Sequence, residues 1–187
     1  MTSKTVFAGF GGQGVLLMGY LLALTAMRSG KNVTYLPSYG AEVRGGTANC
    51  TVVVSDQDIA SPVASNPDQA VVMNNPSLIR FANVVRTGGL VLINQSLVHA
   101  TVKRDDLRLL PIPVNQLAHE LGEDRSANVV MMGAFAEATG IISPEDLKEA
   151  LAETGLGKKP KVLEINRRAV DTGVQAARQA LAKEKSA

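Results

Sequence analysis

The sequence has a single cysteine, Cys50, in 187 residues. One thiol cannot build a disulfide framework, a C-x-x-C redox pair or a cysteine-ligated iron–sulfur cluster, so any redox centre this protein works with is expected on another chain. Histidine is almost as scarce. His99 and His119 are the only two, and neither stands near Cys50 or a carboxylate at zinc-ligand spacing, so no metal site is expected. His119, in Ala118-His119-Glu120, reads as a surface or structurally satisfied histidine. No serine lies in G-x-S-x-G, and G-x-x-x-x-G-K-[ST] is absent, which removes the nucleophile elbow and the P-loop.

Strong charge is missing too. A net charge of +2 gives no reason to expect nucleic acid or a membrane surface. The local group Lys158, Lys159, Lys161, Arg167 and Arg168 reads as a solvated turn and helix start. The apolar stretch from Val15 to Met27 is too short to span a bilayer and contains Gly19. With no apolar leader at the N-terminus, a cytoplasmic location is expected.

What is present is an ordinary globular composition, 45% hydrophobic and 19% charged, at a length suited to one domain over 1–187 with its tail fraying from about Ala182. Short apolar runs at Thr5–Ala8, Asn32–Leu36, Thr47–Ser55, Gln69–Met73 and Leu90–Ile93 read as strands. In the third of these, Thr47, Asn49 and Thr51 alternate with Ala48, Cys50 and Val52, which gives the strand one wet or interface-facing side. Leu109–Val114 contains Pro111 and Pro113 and is confined to a sheet edge or terminus. The polar segment 56–67 is expected to hold a short edge strand or hairpin around Ile59 and Val63.

Helices are expected over Val15–Met27, from Asn75-Pro76 through Val85, over Asn115–Leu121, over Asn128–Thr139 ending at Gly140, from Ser143-Pro144 to Glu153, and from Lys161 onward. Alternating strands and helices predict an α/β domain with helices on both faces of a mostly parallel sheet.

Two glycine-rich loops stand out, on the carboxyl ends of the first two strands. Gly9-Phe10-Gly11-Gly12-Gln13-Gly14 joins the first strand to an apolar helix and satisfies G-x-G-x-x-G. Glycines there permit close backbone approach, and a helix N-terminus favours an anion. The fingerprint also requires an acid at the end of the second strand, and Asn32–Leu36 runs into Pro37-Ser38-Tyr39 with none. The loop therefore reads as a free-standing nucleotide module, a purely structural turn, or something else. The second loop, Pro37 to Gly46, presents Tyr39, Glu42 and Arg44, with Glu42 and Arg44 an ordinary surface pair on the plainest reading.

Taken together, Gly9 to Val15, then Tyr39-Gly40-Ala41-Glu42-Val43-Arg44-Gly45-Gly46, then Met132-Gly133-Ala134, in that order over nearly the whole chain, resemble the gamma subunit of the 2-oxoacid:ferredoxin oxidoreductases. The second motif commonly has proline where this chain has Ala41. The resemblance favours the 2-oxoglutarate type over pyruvate or ketoisovalerate. It implies a three-layer α/β/α domain with a mostly parallel, mixed sheet. It implies a complex that converts a 2-oxoacid and coenzyme A to acyl-CoA, CO2 and reduced ferredoxin, in which this chain has no catalytic residue of its own. Thiamine diphosphate, Mg and iron–sulfur clusters would lie in alpha and beta partners, with a ferredoxin-like delta subunit in some assemblies. Gly11, Gly12, Gln13, Gly14 and Arg44 would contact coenzyme A or a partner. Tyr39, Glu42, Arg44, Gly45 and Gly46 would form the interface. An isolated chain would expose an apolar patch and could homodimerise. A ligand-free structural adaptor is the other reading of the same loops.

Overall fold

The computed structural model describes residues 1–39 and 46–184; residues 40–45 and 185–187, and the side chain of Tyr39, lie outside the described set. The expected site residues Glu42, Arg44 and Gly45 fall among these.

The strands are β1 (Thr2–Phe10), β2 (Asn32–Tyr39), β3 (Thr47–Ser55), β4 (Gln69–Val72), β5 (Leu90–Asn94) and β6 (Arg108–Ile112). The helices are α1 (Val15–Arg28), α2 (Asn75–Ala82), α3 (Val114–Glu120), α4 (Ala127–Thr139), α5 (Pro144–Glu153) and α6 (Pro160–Glu184). One six-stranded sheet runs β2-β3-β1-β4-β5-β6. β1, β4, β5 and β6 are parallel, and β3 is antiparallel to both β1 and β2. This is the mixed, mostly parallel sheet expected.

The strand order bears on the glycine fingerprint. In a dinucleotide-binding unit the strand that follows the first helix lies beside β1 and brings its terminal acid to the ribose. Here β3 takes that place and β2 lies one strand further out. On the other side of β1, the end of β4 leads into Met73 and Asn74, neither of them acidic. Two reversals of direction still leave the carboxyl end of β2 at the same sheet edge as the β1–α1 loop.

Both outer strands carry proline, Pro37 in β2 and Pro111 in β6. A residue without an N–H blunts an open edge against strand addition. The segment 56–67 forms no strand, contrary to expectation. Pro62 and Pro67 supply no ladder donors, and Ile59 and Val63 are too isolated to pay for ordering a strand. α6 begins one residue early, with Pro160 in its first turn, and runs through Ala182 to Glu184.

Helices cover both faces, unequally. The larger core lies between one sheet face and α1, α3, α4, α5 and α6, with Phe7 of β1 against Phe135 of α4 at a ring separation of 5.5 Å. On the other face Ala70, Val72, Val91 and Ile93 are covered by Leu78 and Ala82 of α2 and by Val98 and Leu107 of the β5–β6 connection. Arg104 fastens that connection. It donates to the Ala82 carbonyl at the open C-terminus of α2 at 3.0 Å and to the Val85 carbonyl, three residues beyond it, at 2.7 Å, and pairs with Asp106. No helix among the described residues is long and apolar enough to cross a membrane.

Cys50 is fully buried under α1, its thiol pushed up to about 12 by burial, and its Sγ donates to the Val15 carbonyl at 3.6 Å. A protonated, enclosed thiol is neither nucleophile nor ready metal ligand.

α4 is buried from Ala127 to Ala136 and, Asn128 apart, apolar over that stretch, as a helix clamped between the sheet and another helix must be. Its partner is α6, and the two cross on glycine. A Cβ on Gly133 would strike the Val170 carbonyl, and one on Gly173 would strike the Val130 carbonyl and come within 2.8 Å of the Ala134 nitrogen. Gly173→Ala is therefore expected to destabilise the fold by about 2–3 kcal/mol in urea unfolding, since backbone cannot repack as a side chain can. Gln175→Ala, on the exposed side of α6, is expected to stay within about 0.5 kcal/mol of the parent.

Candidate functional site

The carboxyl edge of the sheet is where an open α/β fold can bind something, because strand ends and helix N-termini meet there. β1 delivers the glycine loop to this edge. Gly12 and Gly14 take φ of 98° and 72°, the left-handed region that disfavours other residues. Gly14 is also the N-cap of α1, and no side chain caps the first turn. The first amides of α1 thus point their N–H groups and partial positive charge outwards without an intrahelical partner.

Gln13 lines a cleft beside this loop, with its carboxamide engaged inside the chain. Its Nε2 donates to the Met73 carbonyl at 3.1 Å, and its Oε1 accepts from the Phe10 amide at 2.7 Å and from Asn74 Nδ2 at 3.3 Å. Asn74 in turn caps α2 by accepting from the Ser77 amide at 2.9 Å. One side chain thus ties the β1–α1 loop to the end of β4 and the start of α2. On the other flank the Gly11 amide donates to the Gly46 carbonyl at 2.9 Å, which joins the loop to the entry of β3. The two glycine-rich segments singled out in the sequence are neighbours in space through Gly11 and Gly46. Tyr39 closes β2 opposite Ala48.

The cleft beside this loop has a volume of about 390 Å³; its polar lining is Gly12, Gln13, Gly14, Asn115, Asp124, Arg125 and Asn128, with Met73, Leu97 and Ala127 as its apolar wall. α4 delivers Asn128, whose carboxamide packs so closely over Gly14 that a Cβ there would overlap it. Asn128 is 7% exposed; its Oδ1 accepts from the Val129 amide at 3.0 Å, and its Nδ2 has no partner among the described residues. Asn115, at the start of α3, is oriented by the fully buried Asn94, which donates to its Oδ1 at 2.8 Å. Arg125 stands in the turn before α4. Its amide donates to Glu123 Oε1 at 3.3 Å, while its guanidinium is exposed and pairs with no carboxylate among the described residues. The neighbouring Asp124 instead faces exposed His119, Nδ1 to Oδ1, at 3.0 Å.

The lining therefore supplies one carboxylate, Asp124, beside hydrogen-bond donors of several kinds: backbone amides, the carboxamides of Asn115 and Asn128, and the Arg125 guanidinium. Such a set fits phosphate or carboxylate. Among the described residues, no cluster of three or more His, Cys, Asp or Glu is arranged to hold a metal ion.

The family model for pyruvate ferredoxin/flavodoxin oxidoreductase matches residues 4–176. The chain belongs to that family. It is 40% identical over 180 residues to ketoisovalerate oxidoreductase subunit VorA of Methanothermobacter marburgensis, covering 95% of this chain and 37% of the relative. It thus spans little more than a third of that relative's length. Among solved structures, the gamma subunit of a keto/oxoacid ferredoxin oxidoreductase from Geobacter sulfurreducens superposes with a TM-score of 0.84 at 26% identity, over 96% of this chain and 98% of the other. The 2-oxoglutarate:ferredoxin oxidoreductase of Magnetococcus marinus, solved with 2-oxoglutarate, coenzyme A and succinyl-CoA bound, gives a TM-score of 0.87 at 26% identity, over 95% of this chain and 31% of that one.

Of the residues expected at the site, the structure brings Gly11, Gly12, Gln13, Gly14 and Gly46 together. Asn115, Arg125 and Asn128 were not foreseen. No recognised motif marks them, because their relevance comes from α3 and α4 starting at the same edge as α1. The polar run Glu123-Asp124-Arg125-Ser126 before an apolar helix was the one available signal. Gln13→Leu is expected to leave the Phe10 amide and the Met73 carbonyl unpaired and to cost about 1–3 kcal/mol in a thermal or urea melt. Gln13→Glu, which keeps an acceptor for the Phe10 amide but offers the Met73 carbonyl no donor, is expected to recover part of that loss.

Proposed function

We propose that this chain is the gamma module of a thiamine-diphosphate-dependent 2-oxoacid:ferredoxin oxidoreductase and that its cleft holds the phosphate groups of coenzyme A. The carrying observation is the uncapped α1 N-terminus, opened by Gly12 and Gly14 and flanked by Asn128 and Arg125. Support comes from the Magnetococcus relative of the same fold, whose structure holds coenzyme A.

In this reading the amides at Gly12 and Gly14, the Asn115 and Asn128 carboxamides and the Arg125 guanidinium fix the anionic end of the coenzyme, leaving its thiol free to reach the acyl group. Arg44 joins them from the neighbouring loop, and Tyr39, Glu42, Gly45 and Gly46 meet the partner chains. Thiamine diphosphate, when bound in the partner chains, supplies the carbanion chemistry of decarboxylation; Mg and the iron–sulfur clusters belong there too. Cys50 is protonated and enclosed, so it offers no ligand to a cluster. The module positions one substrate and closes the assembly in the cytoplasm, while ferredoxin takes the electrons elsewhere on the complex. The ketoisovalerate and 2-oxoglutarate names of the relatives agree on a 2-oxoacid and differ in which one.

In the complex assembled with alpha and beta chains, Arg125→Ala is expected to raise the apparent KM for coenzyme A by about 10-fold or more, with kcat changed less than about twofold, because one charge-assisted hydrogen bond to substrate is lost. The isolated chain is expected to show no turnover. Turnover of a 2-oxoacid by the single chain would refute the reading. Unchanged KM values in both Arg125→Ala and Arg44→Ala would instead favour a ligand-free adaptor.

A further inference from the structure

Asn94 closes β5 and is fully buried. A carboxamide in that position is costly unless both of its ends find partners, and both do. Its Oδ1 accepts from the Ser96 amide at 3.2 Å, and its Nδ2 donates to Asn115 Oδ1 at 2.8 Å. The first of these contacts fixes the second. A backbone N–H can only donate, so it holds the Asn94 oxygen on its own side and leaves the nitrogen towards Asn115. Asn115 must then turn its oxygen to Asn94. Its Nδ2, which has no partner among the described residues, is the end it has left to offer the cleft that it lines.

The turn after β5 uses only the acceptor half of the Asn94 side chain. Its backbone is closed by the Asn94 carbonyl, which accepts from the Leu97 and Val98 amides at 3.1 and 2.9 Å, and by the Gln95 amide, which donates to the Ile112 carbonyl at 2.9 Å. Ser96 ties the same turn to α3, its Oγ accepting from the Gln116 amide at 3.3 Å. An aspartate would serve that turn as well as an asparagine, since both accept from the amide two residues on. The donor half of Asn94 has one use among the described contacts, and that is Asn115.

The direction of that bond decides what the cleft can bind. A free Asn115 could present either end of its carboxamide to a ligand. An oxygen there would meet phosphate oxygens acceptor to acceptor, in a cleft that Asp124 already lines with a carboxylate. A nitrogen instead adds a donor to those of Asn128 and Arg125.

We propose that Asn94 is a positioning residue for this site: its donation to Asn115 Oδ1 holds the Asn115 carboxamide with its donor end to the cleft, so that the cleft selects phosphate oxygens, which only accept. The proposal rests on the reading of the cleft as the coenzyme A site and adds to it a buried residue that acts through another. It is tested by steady-state kinetics of the complex assembled with alpha and beta chains, at mildly alkaline pH where an aspartate is ionised. Asn94→Asp keeps the acceptor for the Ser96 amide but draws the Asn115 nitrogen to itself and turns the oxygen outwards. It is expected to raise the apparent KM for coenzyme A by about fivefold or more, the effect falling on KM and not on kcat. Asn115→Ala is expected to raise it by about as much, and adding Asn94→Asp to Asn115→Ala to change it by less than about twofold further. An unchanged KM in Asn94→Asp would overturn the proposal. So would an equal rise with and without the Asn115 side chain, which would mean that a buried charge acts on the ligand directly. Should Asn94→Asp not assemble, Asn115→Asp carries the test. That variant still accepts from Asn94 but offers the cleft no donor, so a rise in KM would support the proposal and an unchanged KM would overturn it. If neither Asn115→Ala nor Arg125→Ala alters the KM, the coenzyme reading of the cleft fails and the proposal with it; a rise in those two without one in Asn94→Asp overturns the proposal alone.

Discussion

The carboxyl edge of this protein is held by the side chain of Gln13. Three hydrogen bonds from one carboxamide connect the β1–α1 loop, the end of β4 and the cap of α2. Without them, a loop rich in glycine would have many backbone conformations open to it and little reason to keep one. With them, the amides at the start of α1 are held in place before any ligand arrives, and a preorganised donor set costs little to use. The close approach of Asn128 to Gly14 works to the same end from α4. The crossing of α4 and α6 on Gly133 and Gly173 fixes α4 in turn.

Much of this was legible in the sequence, for identifiable reasons. Runs such as Val71-Val72 and Leu90–Ile93 had no competing reading, and Ser143-Pro144 and Asn74-Pro76 mark helix starts through the capping chemistry seen in the structure. The prolines of Leu109–Val114 did place that strand at an edge. What could not be read was adjacency. That β3 separates β2 from β1, and that Asn115, Arg125 and Asn128 share an edge with a loop about a hundred residues earlier, depends on long-range pairing that no local pattern encodes. The role of Gln13 was open for the same reason. Its neighbours suggested a ligand contact, whereas its amide is engaged with the carbonyl of Met73 and the amide of Phe10. The segment 56–67 misled because two apolar residues among prolines can look like the start of a strand.

On the proposed reading, the chemistry of the site is that of holding. Cys50 is buried and protonated, and the described lining of the cleft presents donors, apolar surface and the single carboxylate of Asp124. Membership of the pyruvate ferredoxin/flavodoxin oxidoreductase family makes sense of such a chain as one part of a larger machine. Coenzyme A carries its negative charge far from its thiol. In the proposed role, a module that grips only the phosphates would position a reacting atom without needing reactive groups of its own, and the rate gain would come from orientation.

The most direct test of this account is amide hydrogen exchange across Gly12 and Gly14–Leu17 in the assembled complex, with and without coenzyme A. If these amides hold the phosphates, their exchange slows by about tenfold or more on adding coenzyme A and is unchanged by pantetheine, which lacks the nucleotide phosphates. Unaltered exchange at these amides, with protection appearing only on other chains, would contradict the claim that this cleft holds the coenzyme.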